Sequence, residues 1–258
     1  MYLEERLEFI DSLPSLPPLP VSDELIITPR SLTIAPPHDI NKPTASVMPD
    51  TIDAFMPGVS QDVIDDVNLC KLVMQNAASK LYPNDAQLFE WYKYYVNGLD
   101  KLGWVIQNKN IQEVTIRRIG LTMDQVALEI ATSLIGANAA GILANVAKQA
   151  VDQVQKNPGA IQIFNRNSKI GQQAKFDIAP VWVDKNNQAN MVLNCISLDA
   201  RESTRGILFW KSTRQSTTIK TGAVRSYLDN KVFAGLRDEL YGKYTEAGKK
   251  FIIDLPDF

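Results

Sequence analysis

This 258-residue chain holds two cysteines and one histidine, and both residue types suit nucleophilic or metal chemistry. Cys70 and Cys195 lie far apart, with none of the paired spacings of a zinc site, and two cysteines cannot build a disulfide framework in a chain this long. His38 lies in a proline-rich stretch, so a Ser-His-Asp or Cys-His arrangement would take its base from a poorly structured segment. We therefore expect no metal ion, no cofactor and no conventional catalytic triad.

Motifs that would indicate an enzyme are missing from the sequence. It contains no phosphate-binding loop, no dinucleotide-binding glycine pattern and no nucleophile elbow. Adjacent carboxylates such as Asp65 and Asp66 have no evident partner for acid/base work. We expect a protein that is not an enzyme; an enzyme with an unfamiliar site is the alternative.

Basic residues concentrate in the last part of the chain, where residues 156–258 carry sixteen bases against ten acids. Exposed together, such residues attract the phosphates of anionic lipid at about 1 kcal/mol each. Lipid is favoured over nucleic acid, because stacking aromatic residues are not interleaved with the charges. A solvated sheet edge that its charges protect from aggregation is the simpler interpretation of these residues, and lipid binding is the alternative to it. The candidate lipid contacts are Arg201, Arg205, Lys211, Arg214, Lys220 and Arg225.

Cys195 lies in an apolar predicted strand, where a thiol usually behaves as a small hydrophobic group. The region from 176–182 (FDIAPVW) through this strand to Phe209-Trp210 and the 232–238 helix resembles the Erwinia virulence factor Evf. Chain length and the place of one cysteine, about sixty residues before the carboxyl-terminal end, are also similar. The resemblance implies an α/β protein with a fatty acyl thioester, such as palmitate, and a membrane-associated toxin role in an insect gut. Carried over, the acylated residue would be Cys195; the proline-rich start has no counterpart.

The first sixty residues differ in composition from the rest of the chain. They hold ten of the fourteen prolines, one of the thirteen glycines, and nine acids against three bases. This composition predicts an extended proline-rich arm at residues 1–59, followed by a single globular domain at 60–258. The arm either wraps its own body or docks on a neighbouring subunit, which would make a homo-oligomer.

Periodicity predicts helices before residue 157 and strands after it. Helical patterns cover 60–81, a segment ending near Gly98, and 122–155, whereas 103–119 is ambiguous between strand and helix end. Strand patterns cover 160–164, 176–184, 190–198, 206–211 and 216–221, a helix covers 231–244, and 251–255 is a short strand or docked end. The links between strands are short. We therefore expect an α+β fold, with a helical part (60–157) packed on a mainly antiparallel sheet (158–258).

An uncharged stretch at 130–147 is the most unusual part of the helical pattern. Its eighteen residues are mostly alanine, glycine and other small residues, which is weak for an autonomous membrane span. Three alternatives stay open: a buried central helix, a helix that refolds into a membrane, and a self-association face.

Taken together, these features predict a non-enzymatic bacterial virulence or toxin-like protein that acts at a membrane surface. A structural or assembly protein, docked through its arm on a neighbouring subunit, is the alternative. Residues 1–10 carry three glutamates where a signal peptide needs positive charge and an apolar core. We expect synthesis in the cytoplasm without a cleaved signal peptide, followed by non-classical secretion or membrane association.

Overall fold

The computed structural model describes residues 1–17, 38–84, 87–116, 120–135, 137–165, 173–199 and 217–258. The helices are α1 (Leu3–Ser12), α2 (Gln61–Leu81), α3 (Leu88–Lys101), α4 (Met123–Ile135), α5 (Ala137–Lys156), α6 (Pro158–Phe164), α7 (Asn230–Ala234) and α8 (Arg237–Gly248). The strands are β1 (Thr44–Met48), β2 (Thr51–Phe55), β3 (Trp104–Ile116), β4 (Gln173–Val183), β5 (Ala189–Asp199), β6 (Thr217–Leu228) and β7 (Ile253–Asp254).

The strands form one sheet in the order β3-β6-β5-β4-β2-β1-β7. Neighbouring strands are antiparallel except β2 and β4, which are parallel. The predicted α+β fold with a mainly antiparallel sheet is therefore confirmed.

Helices cover both faces of this sheet, and each face has its own apolar core. On one face α1, α2, α3 and α8 pack against residues such as Leu193 and Val224. On the other face α4, α5 and α6 pack against residues such as Ile178 and Ile196. Successive strand residues point to opposite faces, so β5 contributes Cys195 to the first core and Ile196 to the second.

Much of the predicted amino-terminal arm belongs to the folded body. Every residue of β1 and β2 is buried, and the two strands lie inside the sheet between β4 and β7. The prediction of an extended arm is wrong for these residues, because the prolines at 43, 49 and 57 flank the strands without interrupting their hydrogen bonding. Residues 3–12 are helical rather than extended, and residues 18–37 lie outside the described part of the chain.

Within the globular part, one element differs in type from the prediction and two predicted helices are each divided in two. Residues 160–164 belong to α6 rather than a strand, because the Asn157 side chain caps the helix by accepting a hydrogen bond from the Ala160 amide, and Pro158 suits its first turn. The helical pattern at 122–155 is divided between α4 and α5, and the one at 231–244 between α7 and α8. The ambiguous segment at 103–119 contains β3, and the strand expected at 206–211 lies outside the described residues.

His38 joins the start of the second described segment to the carboxyl-terminal tail. Its Nδ1 lies 2.6 Å from Asp257 Oδ1, and its Nε2 lies 2.9 Å from the Val59 carbonyl oxygen. The histidine therefore holds two chain segments together.

Candidate functional site

Cys195 lies in the middle of the sheet, on the face covered by α2 and α3. Within β5 it pairs with Gly222 of β6, and it is 4% exposed. Its side chain lines a cavity of about 110 Å³ between the sheet and the helices. Apolar walls come from Leu16, Pro17, Leu72, Trp91, Phe176 and Phe251, and polar ones from Thr51, Gln75, Asn76, Ser79, Tyr95, Asp177 and Asn194, among others.

Helix α3 closes this part of the sheet with aromatic side chains. Trp91 and Tyr95 line the cavity with ring centroids 5.1 Å apart, and Tyr92 covers the sheet beside it. A Cβ added at Gly222 would lie 2.5 Å from the Tyr92 ring, so the ring packs directly on the backbone opposite Cys195. Trp91, Tyr92 and Tyr95 are therefore buried in the core, and Trp91 and Tyr95 also form a cavity wall.

A buried charged group lies between α2 and the sheet, at the edge of the same cavity. Lys71 of α2 donates hydrogen bonds to Asp53 of β2 and to Asp177 Oδ2 of β4, the latter at 2.9 Å. The Asn194 backbone amide donates to Asp177 Oδ1, also at 2.9 Å. Lys71 and Asp53 are fully buried and Asp177 is 4% exposed. This group fixes α2 over β2 and β4, because each charge depends on the others for compensation.

Burial and ion pairing shift the pKa values of Asp53, Asp177 and Lys71 in opposite directions. Burial raises the pKa of Asp53 to about 6, against the effect of the Lys71 ammonium. Burial likewise raises the pKa of Asp177 above its ordinary value while Lys71 opposes it. Burial acts to lower the pKa of Lys71, but Asp177 and Asp53 together raise it above its ordinary value. Two carboxylates face one ammonium, so the ionised group carries an excess negative charge.

Sequence reasoning missed this charged group, although a signal for it is present. Asn68, Lys71 and Gln75 follow one another at steps of three and four within the run 67–78, where Asn76 is the one other polar residue, and this spacing places them on one face. That face lies against the sheet, where Asn68 donates to Ser46 and Gln75 to Thr51. A polar stripe within the apolar pattern of a buried helix was the available clue.

Residues 13–17, which we call the strap, run along one side of the cavity. Leu16 and Pro17 line it, and side chains from two helices hold the strap by its carbonyl groups. The Tyr244 hydroxyl of α8 donates to the Leu13 and Pro14 carbonyls, and Asn76 and Lys80 of α2 donate to the Ser15 carbonyl. A proline-rich segment suits this role, since it offers acceptors while having few amide donors.

Of the predicted lipid contacts, the structure describes the side chain of Arg225. It is half-buried, and its guanidinium carbon lies 5.6 Å from the centroid of the Trp182 ring. Arg201, Arg205, Lys211 and Arg214 lie outside the described residues, as does the side chain of Lys220. The structure therefore places one of the six side chains, and the lipid contact stays a prediction.

The uncharged stretch at 130–147 spans the end of α4 and the first half of α5. Val146 and Ala147 are buried in the second core, whereas Ile142 is 62% exposed. In the described ranges no helix combines the length and the apolar character that crossing a membrane requires. Nor do the described His, Cys, Asp and Glu side chains form a group of three that could hold a metal ion.

Comparison with known proteins finds no matching family profile and no matching curated protein. Among solved structures, the chain is similar to the Evf virulence factor at 9% identity and a TM-score of 0.35, over 80% of this chain and 84% of that one. It is also similar to a delta-endotoxin, at 11% identity and a TM-score of 0.35, over 70% and 85% of the two chains.

A third similar structure is the activated Cyt2Ba monomer from Bacillus thuringiensis subsp. israelensis, at 16% identity and a TM-score of 0.37. That match covers 70% of this chain and 97% of the other. These likenesses are distant and concern the fold alone. The match to Evf extends well beyond the last third of the chain, so the resemblance is not confined to the region where the sequence suggests it.

Proposed function

We propose that this chain is a toxin-like bacterial virulence protein that acts at a membrane surface without catalysing a reaction, and that it carries a fatty acyl chain on Cys195. The place of Cys195 in the cavity wall is the observation that supports this most directly. A thiol buried in continuous core would have no room for a substituent. Here the side chain borders open space with Trp91, Leu72 and Phe251 in its walls.

Acylation of Cys195 needs an acyl thioester donor such as acyl-coenzyme A. The Cys195 sulfur forms a bond to the acyl carbonyl carbon while the carbon–sulfur bond of the donor breaks. The cysteine proton passes to the departing coenzyme A thiolate. One thioester replaces another, so no oxidant or reductant is required.

The cavity in its closed form limits what Cys195 can carry. A cavity of about 150 Å³ admits benzene, and this one is smaller at about 110 Å³. A long acyl chain therefore needs the strap residues Leu16 and Pro17 to move away from the cavity. The strap then controls whether the acyl chain is enclosed or extends towards a membrane.

A second membrane signal is part of the proposal, because a single acyl chain binds a bilayer only marginally and reversibly. The basic residues of the last third, Arg201, Arg205, Lys211, Arg214, Lys220 and Arg225, would supply it through anionic headgroups. Binding should then weaken with added salt, since exposed charges are screened.

Intact mass of the native protein tests acylation of Cys195, and sedimentation with vesicles tests action at a membrane surface. We expect a mass above that of the unmodified chain, an adduct that maps to Cys195, and sedimentation with anionic vesicles. Cys195→Ser should lose the adduct, whereas Cys70→Ser, at an equally buried cysteine, should keep it. An unmodified native mass contradicts acylation, and absence of sedimentation contradicts action at a membrane surface.

A further inference from the structure

The Tyr95 hydroxyl, in a residue that lines the Cys195 cavity, has no hydrogen-bond partner among the described residues, and Tyr95 is 1% exposed. Leaving such an atom buried and unpaired is costly, so native proteins rarely do so without a reason. In the wall of a cavity that also holds a thiol, this hydroxyl points to a ligand with a polar end.

The chemistry of the Tyr95 hydroxyl defines that polar end. Burial raises the pKa of Tyr95 well above its ordinary value, so the hydroxyl keeps its proton and is available as a donor. The cavity wall therefore offers a hydrogen-bond donor near Cys195, which suits a ligand that carries an acceptor.

The charged group at the cavity edge restricts the ligand further. Asp177 lines the cavity, and together with Asp53 it outweighs the single positive charge of Lys71. A free fatty-acid anion would bring a further negative charge next to these carboxylates, which is unfavourable in a poorly solvated site. A neutral carbonyl oxygen can accept from Tyr95 without that cost.

We infer that the Tyr95 hydroxyl donates a hydrogen bond to the carbonyl oxygen of an acyl group held on Cys195, and that the cavity accepts a neutral acyl thioester rather than a free fatty-acid anion. The inference rests on the proposed function, because it takes the acyl group to be attached at Cys195. Tyr95 is then a positioning residue. It orients the acyl carbonyl so that the acyl chain runs along the apolar wall of the cavity.

Infrared spectroscopy of protein acylated in vitro tests this role. The full chain is acylated by exchange with an acyl-coenzyme A that carries an isotope label at its carbonyl carbon, and the adduct is located by peptide mass. A hydrogen bond lowers the carbonyl stretching frequency, so Tyr95→Phe should move the labelled band to higher wavenumber than in the wild type. Tyr92→Phe is the matched control, since Tyr92 lies one turn away on α3 and its hydroxyl contacts the Leu193 carbonyl at 3.4 Å.

The outcomes separate this inference from the proposed function. Equal band positions in wild type and Tyr95→Phe overturn the inference, because they show that Tyr95 donates no hydrogen bond to the carbonyl. An absence of any adduct at Cys195 overturns it as well. A native protein of unmodified mass contradicts only the proposed function, because the infrared comparison uses protein acylated in vitro. Protection of Cys195 from acylation by added decanoate would overturn the preference for a neutral ligand.

Discussion

Lys71 is the residue on which the interior polar group depends, since its ammonium compensates two buried carboxylates. Buried ion groups are weak evidence for net stability, because desolvation offsets their attraction. Removing one partner is a different matter, since the remaining charges stay buried without compensation. The group therefore acts as a strong constraint on how α2 sits against β2 and β4.

Replacing Lys71 by methionine should destabilise the fold by about 3–5 kcal/mol, because Asp53 and Asp177 lose their counter-charge. Urea unfolding at neutral pH measures the change. Lys93→Met, at an exposed position of α3, is the matched control and should alter the free energy of unfolding by less than about 0.5 kcal/mol. Similar values for the two variants would contradict the assigned role of Lys71.

Asp53 should make stability depend on pH. Its pKa is raised from the ordinary 3.8 to about 6, so the folded state binds the proton more tightly than the unfolded chain does. The contribution of Asp53 is full below the ordinary pKa and declines as pH rises through the folded value, by at most about 1.4 kcal/mol per pH unit.

Comparing the pH dependence of unfolding in wild type and Asp53→Asn tests that sign. The variant should lose less stability than the wild type as pH rises between these two pKa values. Asp152→Asn changes an exposed carboxylate of α5 and should follow the wild type. A steeper loss in Asp53→Asn than in the wild type would show that the pKa is not raised.

At the scale of elements, the packing of α3 on the sheet depends on two glycines. Gly222 leaves room for the Tyr92 ring, and Gly98 leaves room for Met74 of α2, whose side chain lies 1.9 Å from the position of an added Cβ. Without Cβ atoms at these points, α3 can approach both β6 and α2 closely. The cavity wall is thus set by backbone contacts as much as by the side chains that line it.

Gly222→Ala should destabilise the protein by about 1–3 kcal/mol, because the new methyl group displaces the Tyr92 ring. Gly242→Ala in α8 is the control, since nothing lies within 4 Å of an added Cβ there. That substitution should be neutral or should stabilise the helix by up to about 1 kcal/mol. Thermal unfolding measures the stability of both variants. A Gly222→Ala variant as stable as the wild type would contradict the close contact between Gly222 and Tyr92.

The strap should control access to Cys195. Tyr244→Phe removes the one hydroxyl proton that the Leu13 and Pro14 carbonyls share, a hydrogen bond worth about 1 kcal/mol, so a thiol reagent should label Cys195 about fivefold faster. Tyr241→Phe is the control, because Tyr241 donates to Asp66, away from the strap. Equal labelling rates in the two variants would show that the strap does not close the cavity.

At the scale of the whole molecule, the proline-rich start of the chain has two structural roles. Residues 3–17 pack on this chain's own helices, where Arg6 donates to the Asp100 and Lys101 carbonyls and Lys243 donates to the Ile10 and Asp11 carbonyls. Residues 44–55 supply two interior strands. Docking on a neighbouring subunit stays a proposal for 18–37, and light scattering of the full chain would test it.

Two truncations should separate these roles. Removing residues 1–17 should leave the sheet intact and expose the cavity, whereas removing residues 1–57 should abolish cooperative unfolding, because β4 and β7 lose the strands between them. Circular dichroism with thermal unfolding distinguishes the two results. A folded protein lacking residues 1–57 would contradict the placement of β1 and β2 inside the sheet.

Local patterns determined much of this protein from the sequence alone. The helical spacing of α2, the alternation of β4 and β5 and the mainly antiparallel sheet all depend on residues close together in the chain. The short stretch at 160–164 was misjudged, because five alternating residues outweighed the Asn157-Pro158 cap in front of them.

Only the tertiary structure decided what surrounds Cys195. It brought Lys71 to Asp53 and Asp177, placed Tyr95 in the same cavity wall, and set β1 and β2 inside the sheet although their prolines indicated an arm. Periodicity shows which face of an element is buried, but it does not show which face of another element lies opposite. Lys71 and Asp177 are 106 residues apart, and contacts over such separations follow from how the layers pack as a whole.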